Sequence, residues 1–251
     1  DHQFAAMVFT PGATIPDPNI NTDYIIPFSG GSRMIQLGVI SPQGMLRTSL
    51  VLFGLGALAG AYLATTLGIW PQVAILALAG AALGFLYTAP PVRLAARGLG
   101  EIAIALAFGP LLVAGATLIQ TGTLEPWALL VGMPTGLLTA EVVWINQFPD
   151  MVADAASGKR TLVVRLGLER ARLGYLLIWA LSYAFILGAV LLNALPIQAL
   201  AGLLTLPWAF YVTRHLFRNY RARAIKSAQA GTIYLHLFTG LLMILGVWLA
   251  L

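Results

Sequence analysis

Charge is what this sequence has least of. Only 9% of its 251 residues are charged, against about a quarter in an average soluble domain, and 59% are apolar. That balance excludes a soluble globular enzyme and a disordered tail. Cysteine is absent, which excludes thiol catalysis, iron–sulfur clusters, Cys-ligated zinc and a disulfide-stapled secreted fold, and says nothing about compartment. The short alternating segments of ~10 residues that a membrane barrel needs are also missing. What remains is a polytopic helical membrane protein, because ~20 apolar residues match the ~30 Å hydrocarbon core. A net charge of +5 would suggest nucleic acid if it formed one patch on a soluble face. Its placement argues otherwise, and no nucleic-acid partner is expected.

Seven apolar windows stand out, at 48–69, 72–89, 99–120, 126–148, 173–193, 197–215 and 231–251. Gly and Pro punctuate their joints, and Gly84 with its small neighbours suits close helix packing in the short second window. The expected architecture is all-α, a transmembrane bundle forming one domain over 1–251. Residues 1–46 read as a Gly/Pro-rich cytoplasmic loop and 47–251 as the seven helices. When the connections are numbered alternately, all 14 Lys and Arg fall on one side. They are Arg33 and Arg47, Arg93 and Arg97, the group from Lys159 to Arg172, and the group from Arg214 to Lys226. The connections near 68–71, 121–125 and 194–196 carry none. The positive-inside rule makes the charged side cytoplasmic, and so complete a bias also checks the count of spans, since one missed helix would scatter these charges over both faces.

Two stretches on that side carry candidate chemistry. The first is Asn146-Gln-Phe-Pro-Asp150-Met-Val-Ala-Asp154-Ala-Ala-Ser-Gly-Lys159-Arg160. Asn146, Asp150 and Asp154 recur every four residues and share one face of a helix, although Pro149 is expected to kink or restart it. Two carboxylates and an amide oxygen suit Mg²⁺, which keeps waters and is completed by substrate phosphates. Lys159 and Arg160 would neutralise phosphate charge. The plainer reading is a solvated helix end. The second stretch runs from Tyr87 through Pro90-Pro91 to Arg93, Arg97 and Glu101. Arginine presents fixed donors that fit diphosphate oxygens, or the two arginines anchor to lipid headgroups, and Glu101 pairs with Arg97 at i,i+4. Glu141, inside the fourth window, is either a cavity-lining functional acid or a protonated structural one. His236 reads as a packed polar residue.

Taken together, the acidic and the Tyr/Arg stretches suit a diphosphate head at the water line with a hydrocarbon tail in the bilayer. The matching segments are Pro27-Phe-Ser-Gly-Gly-Ser-Arg33, Tyr87 to Glu101, Phe108-Gly-Pro-Leu111, and Asn146 through Gly158-Lys-Arg-Thr-Leu-Val-Val-Arg-Leu-Gly167. Over essentially its whole length the sequence resembles the UbiA superfamily of intramembrane prenyltransferases, most closely the 1,4-dihydroxy-2-naphthoate branch of menaquinone biosynthesis. The resemblance implies nine helices, so seven of an expected nine are present. It also implies two Asp-rich motifs that bind Mg²⁺–diphosphate. Asn146, Asp150 and Asp154 match the second motif, and Asp1 stands where the first would end.

By the same resemblance, Arg93, Arg97, Lys159 and Arg160 contact diphosphate, and Tyr87 orients diphosphate or acceptor. The implied activity is Mg²⁺-dependent transfer of a polyprenyl chain from its diphosphate to an aromatic acceptor. It would occur at a bacterial or archaeal cytoplasmic membrane, with the active site facing the cytoplasm. Other acceptors (4-hydroxybenzoate or a chlorin alcohol), a lipid- or quinone-binding scaffold and a transporter remain the alternatives.

Overall fold

The structure, a computed structural model, describes residues 34–35, 38–222 and 225–251. Helix α1 spans Pro42–Leu67 and α2 spans Trp70–Thr88. A 3₁₀ turn at Leu94–Arg97 precedes α3, Gly100–Leu106. A π-turn at Ala107–Leu111 joins α3 to α4, Leu112–Thr121. Then come α5, Pro126–Ala156, α6, Leu162–Leu191, a 3₁₀ segment at Ile197–Thr205, α7, Leu206–Asn219, and α8, Lys226–Trp248.

Local chemistry sets these boundaries. Helices α1, α2, α5 and α7 each carry a proline in their first turn, where its missing N–H costs no helical bond. The Ser41 hydroxyl caps α1 by accepting from the Gly44 N–H at 3.0 Å. Gly68 and Gly122 close α1 and α4 in left-handed backbone, which glycine adopts without steric cost.

Among the described residues, six helical stretches are long and apolar enough to cross a membrane, α3 to α4 counting as one stretch, Gly100–Thr121. The chain is an integral membrane protein. The window expected at 197–215 is not one α-helix. Its first half is the 3₁₀ segment, drawn tightly against α8. A Cβ on Gly246 would strike the Gln198 carbonyl, and one on Gly202 would lie 2.6 Å from Met243 Cγ. The fifth window also begins earlier than expected, because α6 starts at Leu162 and bends at Gly167, whose φ is 72°.

In lipid the hydrophobic effect does little to hold helices together, so small residues and interhelical hydrogen bonds must do so. Both are concentrated on α5, which packs on α3, the π-turn, α4, α6 and α8. Gly132 and Gly136, one turn apart, lie directly on the backbone of the preceding helical stretch. A Cβ on Gly132 would sit 2.6 Å from the Gly109 carbonyl carbon, and one on Gly136 would collide with the Ala105 carbonyl oxygen. Gly84, by contrast, faces open space, so the close contact expected in the second window occurs elsewhere. Buried pairs stitch α5 to α6, and α6 to α7 and α8. Trp144 Nε1 donates to the Ala171 carbonyl at 2.9 Å, Tyr175 meets Thr232 at 2.8 Å, and Trp179 donates to Thr213 at 2.9 Å. Helices α1 and α2 lie outside this core, with Phe53 and Leu78 each 71% exposed, a surface suited to lipid.

Gly136→Ala is expected to lower thermal stability in detergent by about 3 kcal/mol, the upper range for overpacking a rigid contact. Gly54→Ala, with nothing within 4 Å of its new Cβ, is expected to leave the melting temperature unchanged.

Candidate functional site

Pro149 does not interrupt α5, which runs unbroken to Ala156. A proline inside a helix removes one donor but need not end it where neighbouring helices hold both halves. Asn146, Asp150 and Asp154 therefore stand along one face of a single helix, near its end. Asn146 Oδ1 accepts from Gln229 Nε2 on α8 at 3.0 Å. Asp154 is 6% exposed, and its Oδ1 meets Lys159 Nζ at 3.0 Å. That ion pair follows from the turn beyond α5. Gly158, at φ 77°, reverses the chain so that the Lys159 N–H reaches the Asp154 carbonyl at 2.9 Å. Asp150 is half-buried between these two anchored neighbours.

The Tyr87–Glu101 stretch folds against this turn. Pro90–Pro91 is a cis peptide, Arg93 takes left-handed backbone at φ 50°, and the 3₁₀ turn follows. The Arg97 guanidinium donates through Nη2 to the Pro91 carbonyl at 2.8 Å. Across the gap, the Arg160 N–H donates to the Ala96 carbonyl at 2.8 Å. Between the two segments lies an open cleft of about 450 Å³, lined by Arg93, Arg97, Arg160 and Arg165 together with Pro90 and Gly158. Among the described residues, no carboxylate lines it. Like charges crowded without a counter-ion raise the local affinity for an anion.

The structure thus brings Arg93, Arg97 and Arg160 together as expected and adds Arg165 to them. Lys159 is not among them, because it rests on Asp154. Tyr87 stands behind the 3₁₀ turn, against Gly100, where a Cβ would lie 3.3 Å from its ring. The acid face does not line the cleft, but Ser157 and Gly158 link the two within one turn of chain. Asp1 lies outside the described residues. Glu101 does not pair with Arg97. It is 4% exposed, and its Oε1 accepts from Gln147 Nε2 at 2.8 Å, because α3 runs beside α5 and turns Glu101 inward. Glu141 is fully buried beside Tyr175 and lines neither this cleft nor the second cavity. That second cavity, about 920 Å³, is mostly apolar. It lies between α4, α5 and α8 and includes His236, Gln120 and Thr135 in its wall.

Gln147, Gln229 and Arg165 were not singled out from sequence. Gln229 stands out as an amide among the apolar residues of the last helix, a signal that was available. The pairing of Gln147 with Glu101 is tertiary and had none.

A sequence profile described as the UbiA prenyltransferase family matches residues 29–242. A 2-carboxy-1,4-naphthoquinone phytyltransferase of Synechocystis sp. is 32% identical over 176 residues, covering 68% of this chain and 57% of that protein. A 1,4-dihydroxy-2-naphthoate octaprenyltransferase of Bacillus subtilis is 24% identical over 217 residues, covering 86% and 69%. A UbiA prenyltransferase domain-containing protein 1 of Homo sapiens is 29% identical over 214 residues, covering 84% and 61%. The chain therefore spans about three fifths of the length of most of these curated relatives.

Lys159→Met removes the counter-ion of a buried carboxylate. In the absence of divalent cations it is expected to cost about 1–3 kcal/mol, the penalty for an unpaired buried group. The loss is followed by thermal unfolding in detergent.

Proposed function

The chain belongs to the UbiA prenyltransferase family, and from that premise we propose that its protein transfers a polyprenyl group from an allylic diphosphate to an aromatic acceptor. The observation that carries this reading is the four-arginine cleft set one turn of chain beyond Asp154, the last member of the Asn146, Asp150 and Asp154 face. A diphosphate bridges a cationic wall and an acidic one only if a divalent cation lies between it and the acids. The acid face suits such an ion. It offers hard oxygen donors, from Asn146, Asp150 and Asp154, on one helix face. That is the donor pattern of Mg²⁺ completed by water and phosphate.

Asp150 and Asp154 would hold Mg²⁺ directly, with Asn146 in support. The bound ion would supply positive charge that weakens the allylic C–O bond. Arg93, Arg97 and Arg160 take the diphosphate oxygens and stabilise the charge that gathers there as the bond breaks. Lys159 balances Asp154 at the same end, and Tyr87 orients diphosphate or acceptor. The bonding electron pair leaves with diphosphate. A ring carbon of the acceptor supplies the pair for the new C–C bond, and the apolar interior keeps water from the allylic cation. With 1,4-dihydroxy-2-naphthoate as acceptor, the carboxylate on that carbon leaves as CO₂ and its bonding pair restores the aromatic ring.

The naphthoate and naphthoquinone in the names of two relatives support this acceptor class. The one-sided arginines and lysines support a site facing the cytoplasm.

The test is mass-spectrometric detection of product from detergent-solubilised protein at its natural length. Geranylgeranyl diphosphate would be offered with 1,4-dihydroxy-2-naphthoate or 4-hydroxybenzoate, with and without Mg²⁺. A prenylated, decarboxylated naphthalenediol that appears only with Mg²⁺ is the expected result, and no covalent product with any acceptor would reject the reading. Asp150→Asn is expected to lower turnover by about 100-fold or more while leaving the circular dichroism spectrum unchanged.

A further inference from the structure

We infer that Arg165 is a positioning residue, which clamps the two cytoplasmic segments together so that the cationic cleft exists as one site. Its guanidinium uses two different N–H groups on two different stretches of backbone. Nη2 donates to the Arg97 carbonyl at 2.8 Å, and Nε donates to the Arg160 carbonyl at 2.9 Å. These carbonyls belong to residues 63 positions apart in sequence, on opposite walls of the cleft. The bond from the Arg160 N–H to the Ala96 carbonyl, at 2.8 Å, closes the same seam. Arg97 and Arg160 are thereby fixed at their backbones, and their side chains enter one cavity.

The seam depends on a glycine. At Gly98, a Cβ would lie 3.1 Å from both the Arg160 carbonyl oxygen and Arg165 Nε, and the backbone is left-handed at φ 73°. Only glycine meets both conditions without displacing the clamp. A planar, forked guanidinium can span two carbonyls at once. A lysine ammonium at the end of a flexible stem retains the charge but not the fork.

Holding arginines close together without a counter-ion is unfavourable, so the arrangement needs such a tie. Among the described residues, neither ion pair found, Lys159–Asp154 or Arg172–Glu169, involves the four arginines of the cleft. Backbone carbonyls are acceptors that anchor Arg165 without neutralising the wall. A carboxylate in the same place would cancel charge that an anionic ligand needs.

This inference rests on the prenyl-transfer reading for its substrate, but its test does not require turnover. The readouts are the dissociation constant for inorganic pyrophosphate and the hydrogen-exchange rate of the Arg160 amide. They are measured on wild type, Arg165→Lys and Gly98→Ala in detergent. Arg165→Lys keeps the charge and loses the fork, and Gly98→Ala keeps the charge and crowds the seam. Both are expected to weaken pyrophosphate binding about tenfold, as for the loss of one to two net hydrogen bonds. Both should also speed exchange at Arg160.

In the prenyl-transfer assay the same variants should raise KM for the prenyl diphosphate and leave KM for the acceptor unchanged. Wild-type affinity in Arg165→Lys would show that Arg165 contributes only charge and would overturn the inference. Wild-type affinity in Gly98→Ala with accelerated Arg160 exchange would overturn it as well, because the seam would then open without consequence. Pyrophosphate binding that follows the expected pattern, without product from any acceptor, would reject the enzymatic reading and leave the clamp in place.

Discussion

Helix α5 can serve this protein as its axis because Gly132 and Gly136 let it touch the preceding helix backbone to backbone. In a bilayer no solvent drives helices together, and dispersion at short range must substitute. That contact fixes how α5 is rotated about its own axis, and every other feature inherits the rotation. With α3 on one side, Gln147 faces Glu101. With α8 on another, Asn146 faces Gln229. Trp144 reaches the backbone of α6, and Gly174 leaves room there, since a Cβ on it would strike the indole. A helix turned by one residue, about 100°, would exchange the amide–carboxylate contact for the face that now carries the acids.

The candidate site is then built at the level where α5 ends, and its two walls have different kinds of support. The acidic wall is carried by a helix held on several sides. The cationic side is built from two segments, the loop of Arg93 and Arg97 with its cis proline pair and left-handed arginine, and the stretch of Arg160 and Arg165 beyond α5, tied together through carbonyls. Placing the carboxylates on the rigid partner and the arginines on the tied one suits a site that holds a highly charged head group. Cations on long side chains adapt to a ligand, whereas oxygen donors for a small ion such as Mg²⁺ must be placed in advance.

The membrane class, the positions of most helices and the face shared by Asn146, Asp150 and Asp154 were legible in the sequence, because each depends on periodicity or composition alone. The missing signals were tertiary. Pro149 reads as a break, yet α5 continues through it. Glu101 reads as the local partner of Arg97 and instead reaches Gln147, 46 positions away in sequence. Gly84 and Gly132 look equally suited to helix contact, and only the neighbour's position decides between them. The window at 197–215 has the composition of a membrane helix, and its first half is a 3₁₀ segment that Gly202 and Gly246 let lie close against α8.

Under the proposed reading the arginines serve two ends with one set of charges. The rule that orients membrane proteins counts Lys and Arg in short loops without regard to their geometry. Binding a diphosphate depends on geometry. A loop arginine that only anchors to headgroups needs no fixed backbone and gains nothing from a counter-ion-free enclosure. Arg93, Arg97, Arg160 and Arg165 share such an enclosure and surround it with backbone hydrogen bonds. Arg214 and Arg218, on α7 and by the same rule on the same side, are outside it. Topology alone would be served by either group, and under the proposed reading the cleft that only the first group shares favours a bound anion over a membrane surface as its target.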